Sequence, residues 1–175
     1  MNKFIAVAAL TALIAPLSSF ADPPKRLSVV KSITVKAPVD KVWAAVKDFD
    51  SLNKWHPAIA KDEIIKGTNN QPGAVRELTV KDGPKLTEEL LSFNEAQHSY
   101  RYKFVESPFP ITDYRSTISL KPGKDGSTIV RWSGTFKRKN AADNPPEAES
   151  DAAGIKLIKG IYDAGLSNLK KMLET

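Results

Sequence analysis

The longest regular pattern of apolar and polar positions lies at the end of the chain. Between Glu147 and Leu173, apolar or small residues recur at Ile155, Ile158, Tyr162, Gly165, Leu169 and Met172, with spacings alternating between three and four. That period predicts one long amphipathic helix, and Pro145–Pro146 blocks any earlier start. Upstream the pattern shifts towards alternation. Leu27–Val35 reads as a strand. Pro38 then suits a helix start, and Val42, Trp43, Val46 and Phe49 recur at helical spacing, predicting a short helix over 39–48. Asp50–Ser51 caps a second short helix through about Lys54, which Trp55-His56-Pro57 stops.

Six further strands follow: Glu63–Lys66, Val75–Lys81, Lys85–Phe93, Ser99–Glu106, Thr112–Leu120 and Thr128–Arg138. Asp82–Gly83 marks a hairpin between two of them. The alternation is clearest in the strand carrying Tyr100, Tyr102 and Phe104 on one face with Arg101 and Lys103 on the other. It is equally clear where Val130, Trp132, Gly134 and Phe136 oppose Arg131 and Lys137. Hairpin-joined strands imply an antiparallel sheet, and a lone long helix must bury its stripe against it. The expected fold is α+β, with a seven-stranded curved antiparallel sheet around a long C-terminal helix and two short helices after strand one. Gly134 lets the last strand bend or the helix come close. Gly154, Gly160 and Gly165 each cost the helix about 1 kcal/mol relative to Ala, so they imply close approach of the sheet or space beneath the helix.

The start of the chain changes the picture of where this domain works. A short positive start, an apolar run from Phe4 to Leu17 and small residues at Ser19 and Ala21 form a secretory signal peptide over 1–21, cleaved after Ala21. Residues 22–175 then make a single domain, exported to the periplasm. No later segment reaches membrane-spanning length, so an integral membrane protein is not expected. Cysteine is absent, which excludes disulfides, thiolate nucleophiles and cysteine-based metal sites. The net charge is +6, densest at Lys137-Arg138-Lys139 and Lys170-Lys171. This suits a solvated surface or docking to an acidic protein, and an exported chain rarely meets nucleic acid.

No nucleophile elbow, phosphate-binding glycine loop, dinucleotide fingerprint or His-Glu-x-x-His motif is present. His56 and His98 are too few for a metal site, and neither metal nor cofactor is expected. Glu88 shares its strand face with Leu86 and Leu90. Turned inward, its carboxylate would sit among apolar groups with a raised pKa. Trp55, His56, Glu88, Tyr100, Tyr102, Tyr114, Trp132 and Phe136 are the candidate cavity residues. The same aromatic faces suit either a filled core or an apolar pocket with a few polar anchors. A catalytic reading pairs Glu88 with a tyrosine as acid and base, but no catalytic pair stands out.

Ala37–Trp43 and Gly73–Glu77 resemble the opening of the first helix and the third strand of the Bet v 1/START helix-grip superfamily, which includes polyketide-cyclase-like proteins and plant hormone receptors. Trp55-His56-Pro57, Lys81-Asp82-Gly83, Pro110–Thr117, Asn144–Glu147 and Gly160–Lys170 resemble, within it, the MxaD family of exported accessory proteins of bacterial methanol oxidation. The resemblance implies a non-enzymatic partner of methanol dehydrogenase and its cytochrome c, with a carrier of a small apolar ligand as the alternative and a cyclase- or aromatase-like enzyme as a third. It implies that Glu88 lines the ligand cavity, and that loops at Lys81, Asp82 and Gly83 and at Pro108, Phe109 and Pro110 gate it or meet a partner. Phe109, between prolines, reads as a rigid exposed apolar tip. The cation that hormone receptors use to hold an acidic ligand has no equivalent near Ile59-Ala60-Lys61, which argues against a carboxylate ligand of that kind.

Overall fold

The computed structural model describes residues 24–175, so the expected signal peptide lies outside the described residues. Strands β1 (Leu27–Val35), β2 (Ile59–Lys66), β3 (Val75–Val80), β4 (Lys85–Asn94), β5 (Ser99–Glu106), β6 (Ile111–Pro122) and β7 (Thr128–Arg138) form one antiparallel sheet in the order β1-β7-β6-β5-β4-β3-β2. The first two strands are therefore opposite edges. The short helices α1 (Val39–Val46) and α2 (Leu52–Trp55) carry the chain from one edge to the other. The long helix α3 (Asp151–Glu174) lies across the concave face. This is the α+β arrangement that the strand pattern implies, and the helix-grip fold that the resemblance implies. Among the described residues no helix is long and apolar enough to cross a membrane.

Irregularities in pairing let the sheet curl. The register shifts between Thr87 and Glu88 and between Leu90 and Ser92 where β4 meets β5, and between Thr112 and Arg115 where β6 meets β7. The inward rows interdigitate with α3 to form the core, in which Val35, Val42, Phe49, Leu90, Phe136, Ile158, Tyr162 and Leu169 are wholly buried.

Two elements begin four residues from where the residue pattern suggests. β2 starts at Ile59, four positions before Glu63, because a bulge between Ile59 and Lys61 breaks its alternation. α3 starts at Asp151, not Glu147. Glu147–Glu149 makes a 3-10 turn, and the Ser150 hydroxyl caps the helix by accepting from the Ala153 N–H at 3.2 Å. Its buried stripe is Gly154, Ile158, Tyr162, Gly165, Leu166 and Leu169, while Met172 is largely exposed.

The helix glycines separate into two kinds. A methyl on Gly165 would sit 2.6 Å from His56 Cδ2 and 2.9 Å from the Trp132 ring. Gly160 faces open space. We expect Gly165→Ala to destabilise the protein by about 1–3 kcal/mol through overpacking, and Gly160→Ala to stabilise it by about 0.4–1 kcal/mol through chain entropy and helix propensity. Urea unfolding of the two variants reads both signs.

Candidate functional site

The sheet and α3 do not close completely. They leave a cavity of about 210 Å³ with an almost wholly apolar wall. Leu78 and Val80 of β3, Leu86 and Glu88 of β4, and Tyr102 and Phe104 of β5 line one side. Tyr114 of β6 and Trp132 of β7 continue it, and Leu157 and Ile161 of α3 cover it. Leu52, His56 and Ile59 border it from the α2–β2 segment. For scale, an engineered apolar cavity of about 150 Å³ stays dry and binds benzene or xenon. The space suits a compact ring-sized molecule.

Of the candidate residues, His56, Glu88, Tyr102, Tyr114 and Trp132 border this cavity. Trp55, Tyr100 and Phe136 do not, and are core filler instead. Trp55 packs on Trp132 at 5.4 Å between ring centroids, Tyr100 lies 6.2 Å from both Trp43 and Phe49, and Phe136 lies beneath Gly154. Strand alternation gives Tyr100 and Phe136 an inward face but does not say where along the strand the helix stands off, and Trp55 ends α2, outside any strand.

Glu88 is held by a group the residue pattern did not reveal. Register places Arg76 of β3 directly opposite Glu88 of β4. Arg76 is buried to 1% exposure. Its Nε and Nη2 donate to Glu88 Oε2 at 2.8 and 2.5 Å, and Nη1 donates to Asp62 Oδ2 at 3.3 Å and to the Phe49 carbonyl. The guanidinium also lies over the Phe49 ring, 4.2 Å from its centroid. Asp62 Oδ2 accepts the Leu52 N–H at 2.9 Å, tying the cluster to the first residue of α2. Burial alone would lower the Arg76 pKa, but Glu88 and Asp62 more than offset it and hold the side chain as a cation. Burial raises the Glu88 and Asp62 pKa values, with Arg76 opposing. Arg76 was visible in the sequence only as an inward position beside Leu78. Asp62 was hidden by the β2 bulge.

The other polar groups are also committed. His56 Nε2 donates to the Ile161 carbonyl at 2.9 Å and Nδ1 accepts the Ala58 N–H at 3.2 Å, so the ring is the neutral Nε2–H tautomer. Burial keeps its pKa below the usual value. The Tyr162 hydroxyl bonds to Tyr114 and Ser116, each at 2.9 Å, and Trp132 Nε1 donates to Tyr102 and Ser116, each at 3.0 Å. A methyl on Gly134 would collide with that Tyr162 hydroxyl, so this glycine makes room for the network. Burial pushes Tyr162 up to about 12 and Tyr102 and Tyr114 well above their ordinary value. An acid–base pair works best with pKa values near the working pH, and these tyrosines stand far from it. Among the described residues no group of three His, Asp or Glu side chains is placed to hold a metal ion.

The two loops lie at the same end of the sheet, where Thr87 pairs with Glu106. Lys81, Asp82 and Gly83 are exposed, and Asp82 adopts a left-handed backbone with φ of 52°. Pro108 is exposed and Pro110 half-buried. Phe109 is not the exposed tip expected of it. It turns inward, packs 6.1 Å from the Phe104 ring and covers the cavity. Lys61 faces solvent and pairs with Glu63 at 2.7 Å, leaving the cavity without a cation at that position.

Residues 26–174 match the family model described as polyketide cyclase / dehydrase and lipid transport. The chain is 27% identical to the abscisic acid receptor PYL10 of Arabidopsis thaliana over 80% of its own length and 75% of the receptor's. It is 27% identical to MLP-like protein 423 of the same plant, over 74% and 87% of the two chains. The solved structure of XoxI from Bacillus cereus is similar at a TM-score of 0.73 and 33% identity, covering 83% of this chain and 94% of that one.

Removing one partner of a buried ion pair strands the others. We expect Arg76→Met to cost about 3–5 kcal/mol at neutral pH. The orphaned carboxylates would then bind protons more tightly folded than unfolded, so the loss shrinks as pH falls through their raised pKa values. Urea unfolding at pH 7 and pH 5 checks both the size and the sign.

Proposed function

The chain belongs to the polyketide cyclase / dehydrase and lipid transport family, and we propose that it binds and carries a small apolar ligand without transforming it. The observation that carries this reading is the 210 Å³ apolar cavity with one carboxylate, Glu88, in its wall. A compact ring system fits the volume. The carboxylate favours a ligand with a single hydroxyl or amine donor. A carboxylic acid is disfavoured, because its anion would face Glu88 while all the Arg76 nitrogens are already engaged behind that wall. The engaged polar groups and the high tyrosine pKa values support binding over acid–base catalysis.

A second reading keeps the accessory role. The MxaD resemblance supports an exported, periplasmic protein that meets methanol dehydrogenase or its cytochrome c, and the excess of Lys and Arg over Asp and Glu suits an acidic partner. A ligand-filled interior and a partner on the outside are compatible in one molecule. On this reading, immobilised protein retains the dehydrogenase or the cytochrome at low salt and accelerates electron transfer between them. Failure to retain either at low salt rules it out.

The ligand reading is tested by titrating p-cresol, toluene and benzoate into the protein by calorimetry and amide NMR. The expected result is that p-cresol binds, with shifts at Leu86, Phe109 and Ile161, and that benzoate binds at least about tenfold more weakly for want of a counter-charge. No binding by any of the three overturns the carrier reading.

A further inference from the structure

The face of the sheet turned away from α3 carries a charge arrangement that a solvated surface does not require. Arg101 of β5, Arg115 of β6 and Arg131 of β7 are all exposed and line one shallow groove with Val30, Thr117 and Ser133. Among the described residues, none of the three arginines has a carboxylate partner. Arg131 donates only to the Ser133 hydroxyl, at 2.9 Å. The nearby carboxylates are occupied. Glu89 pairs with Lys103 at 3.0 Å, and Asp113 is shared by Arg26 and Lys137.

Register makes the arrangement costly. Arg115 stands directly opposite Lys103 across the β5–β6 ladder, and like charges placed so destabilise a sheet. Apolar side chains share the same face: Val30, Ile129 and Val105 are 49%, 43% and 51% exposed. Arginine is enriched at protein interfaces relative to the rest of the surface, and here three of them stand unpaired beside exposed aliphatic side chains. The arginine fork matches carboxylates in bidentate fashion, which lysine does not. A membrane is the poorer fit, because the face offers no large aromatic or leucine anchor to insert among lipids.

We infer that the outer face of β5, β6, β7 and β1 is a docking surface for an acidic protein. Aspartate and glutamate side chains of the partner engage Arg101, Arg115 and Arg131 while the partner covers Val30. The surface is separate from the cavity, since outward and inward residues alternate along each strand, and it does not rest on the ligand reading.

Amide NMR titration with poly-L-glutamate as the carboxylate probe, and separately with phosphatidylglycerol vesicles, tests the inference. Poly-L-glutamate should shift residues on the outer rows of β5, β6, β7 and β1. The triple variant R101T/R115T/R131T should bind it about tenfold more weakly, three exposed ion pairs being removed. The control K156Q/K159Q/K171Q, which removes the same charge from α3, should change affinity less than about twofold by the same reckoning. The single variant R115T should melt at a higher temperature than the parent, because it relieves the Lys103 repulsion. Equal weakening by both triple variants, shifts centred on α3, tighter binding to vesicles than to poly-L-glutamate, or no binding at all would each overturn it.

Discussion

Arg76 cannot be buried alone, and the placement of three segments follows from that. Removing a guanidinium from water costs several kcal/mol unless carboxylates and carbonyls replace the water. Here Glu88 arrives from the neighbouring strand, Asp62 from β2, and the Phe49 carbonyl from the turn after α1. Asp62 also accepts from the first N–H of α2. The ion cluster thus pins the edge of the sheet to the two short helices, and it fixes the rotamer of Glu88. A carboxylate that would otherwise be a candidate acid or base becomes part of a rigid wall, with its neighbour Tyr102 beneath the same guanidinium.

The opposite side of the cavity is set by packing. Trp132 stacks on Tyr162 at 4.4 Å between ring centroids. Gly134 admits the Tyr162 hydroxyl and Gly165 admits His56 and the Trp132 ring. With these contacts α3 is seated tightly over β7, while Leu157 and Ile161 stand over open space. The cavity is therefore what remains when the helix is held at one side of a curled sheet. Phe109, from the loop between β5 and β6, closes part of the remaining mouth.

Much of this was legible in the order of residues, and the failures have physical causes. The strands with clean alternation, β1, β5 and β7, start and end where the pattern places them. β2 is longer than its alternation suggests because bulges hide which of its side chains turn inward, and the same bulges conceal Asp62. Arg76 contradicts the rule that inward positions are apolar. Only the partner strand resolves the contradiction, and that pairing depends on register. The Lys81–Gly83 loop sets it by closing Val80 N–H onto the Pro84 carbonyl at 3.1 Å. A one-residue slip would have put Arg76 opposite an outward residue. Tyr100 and Phe136 show the other limit. Their side was readable, but whether they meet the cavity or the core depends on helix seating, which no single strand encodes.

The central claim is that a dry apolar cavity survives between α3 and the concave sheet, walled on one side by the Arg76–Glu88 pair. Xenon reports such space directly, because it occupies dry apolar cavities and is excluded from filled cores and polar, hydrated ones. A crystal pressurised with xenon should show the atom bordered by Leu86, Tyr114 and Ile161, with Glu88 still bonded to Arg76. A core closed by side chains, or a chain of ordered waters reaching Glu88 with no xenon, would contradict the account.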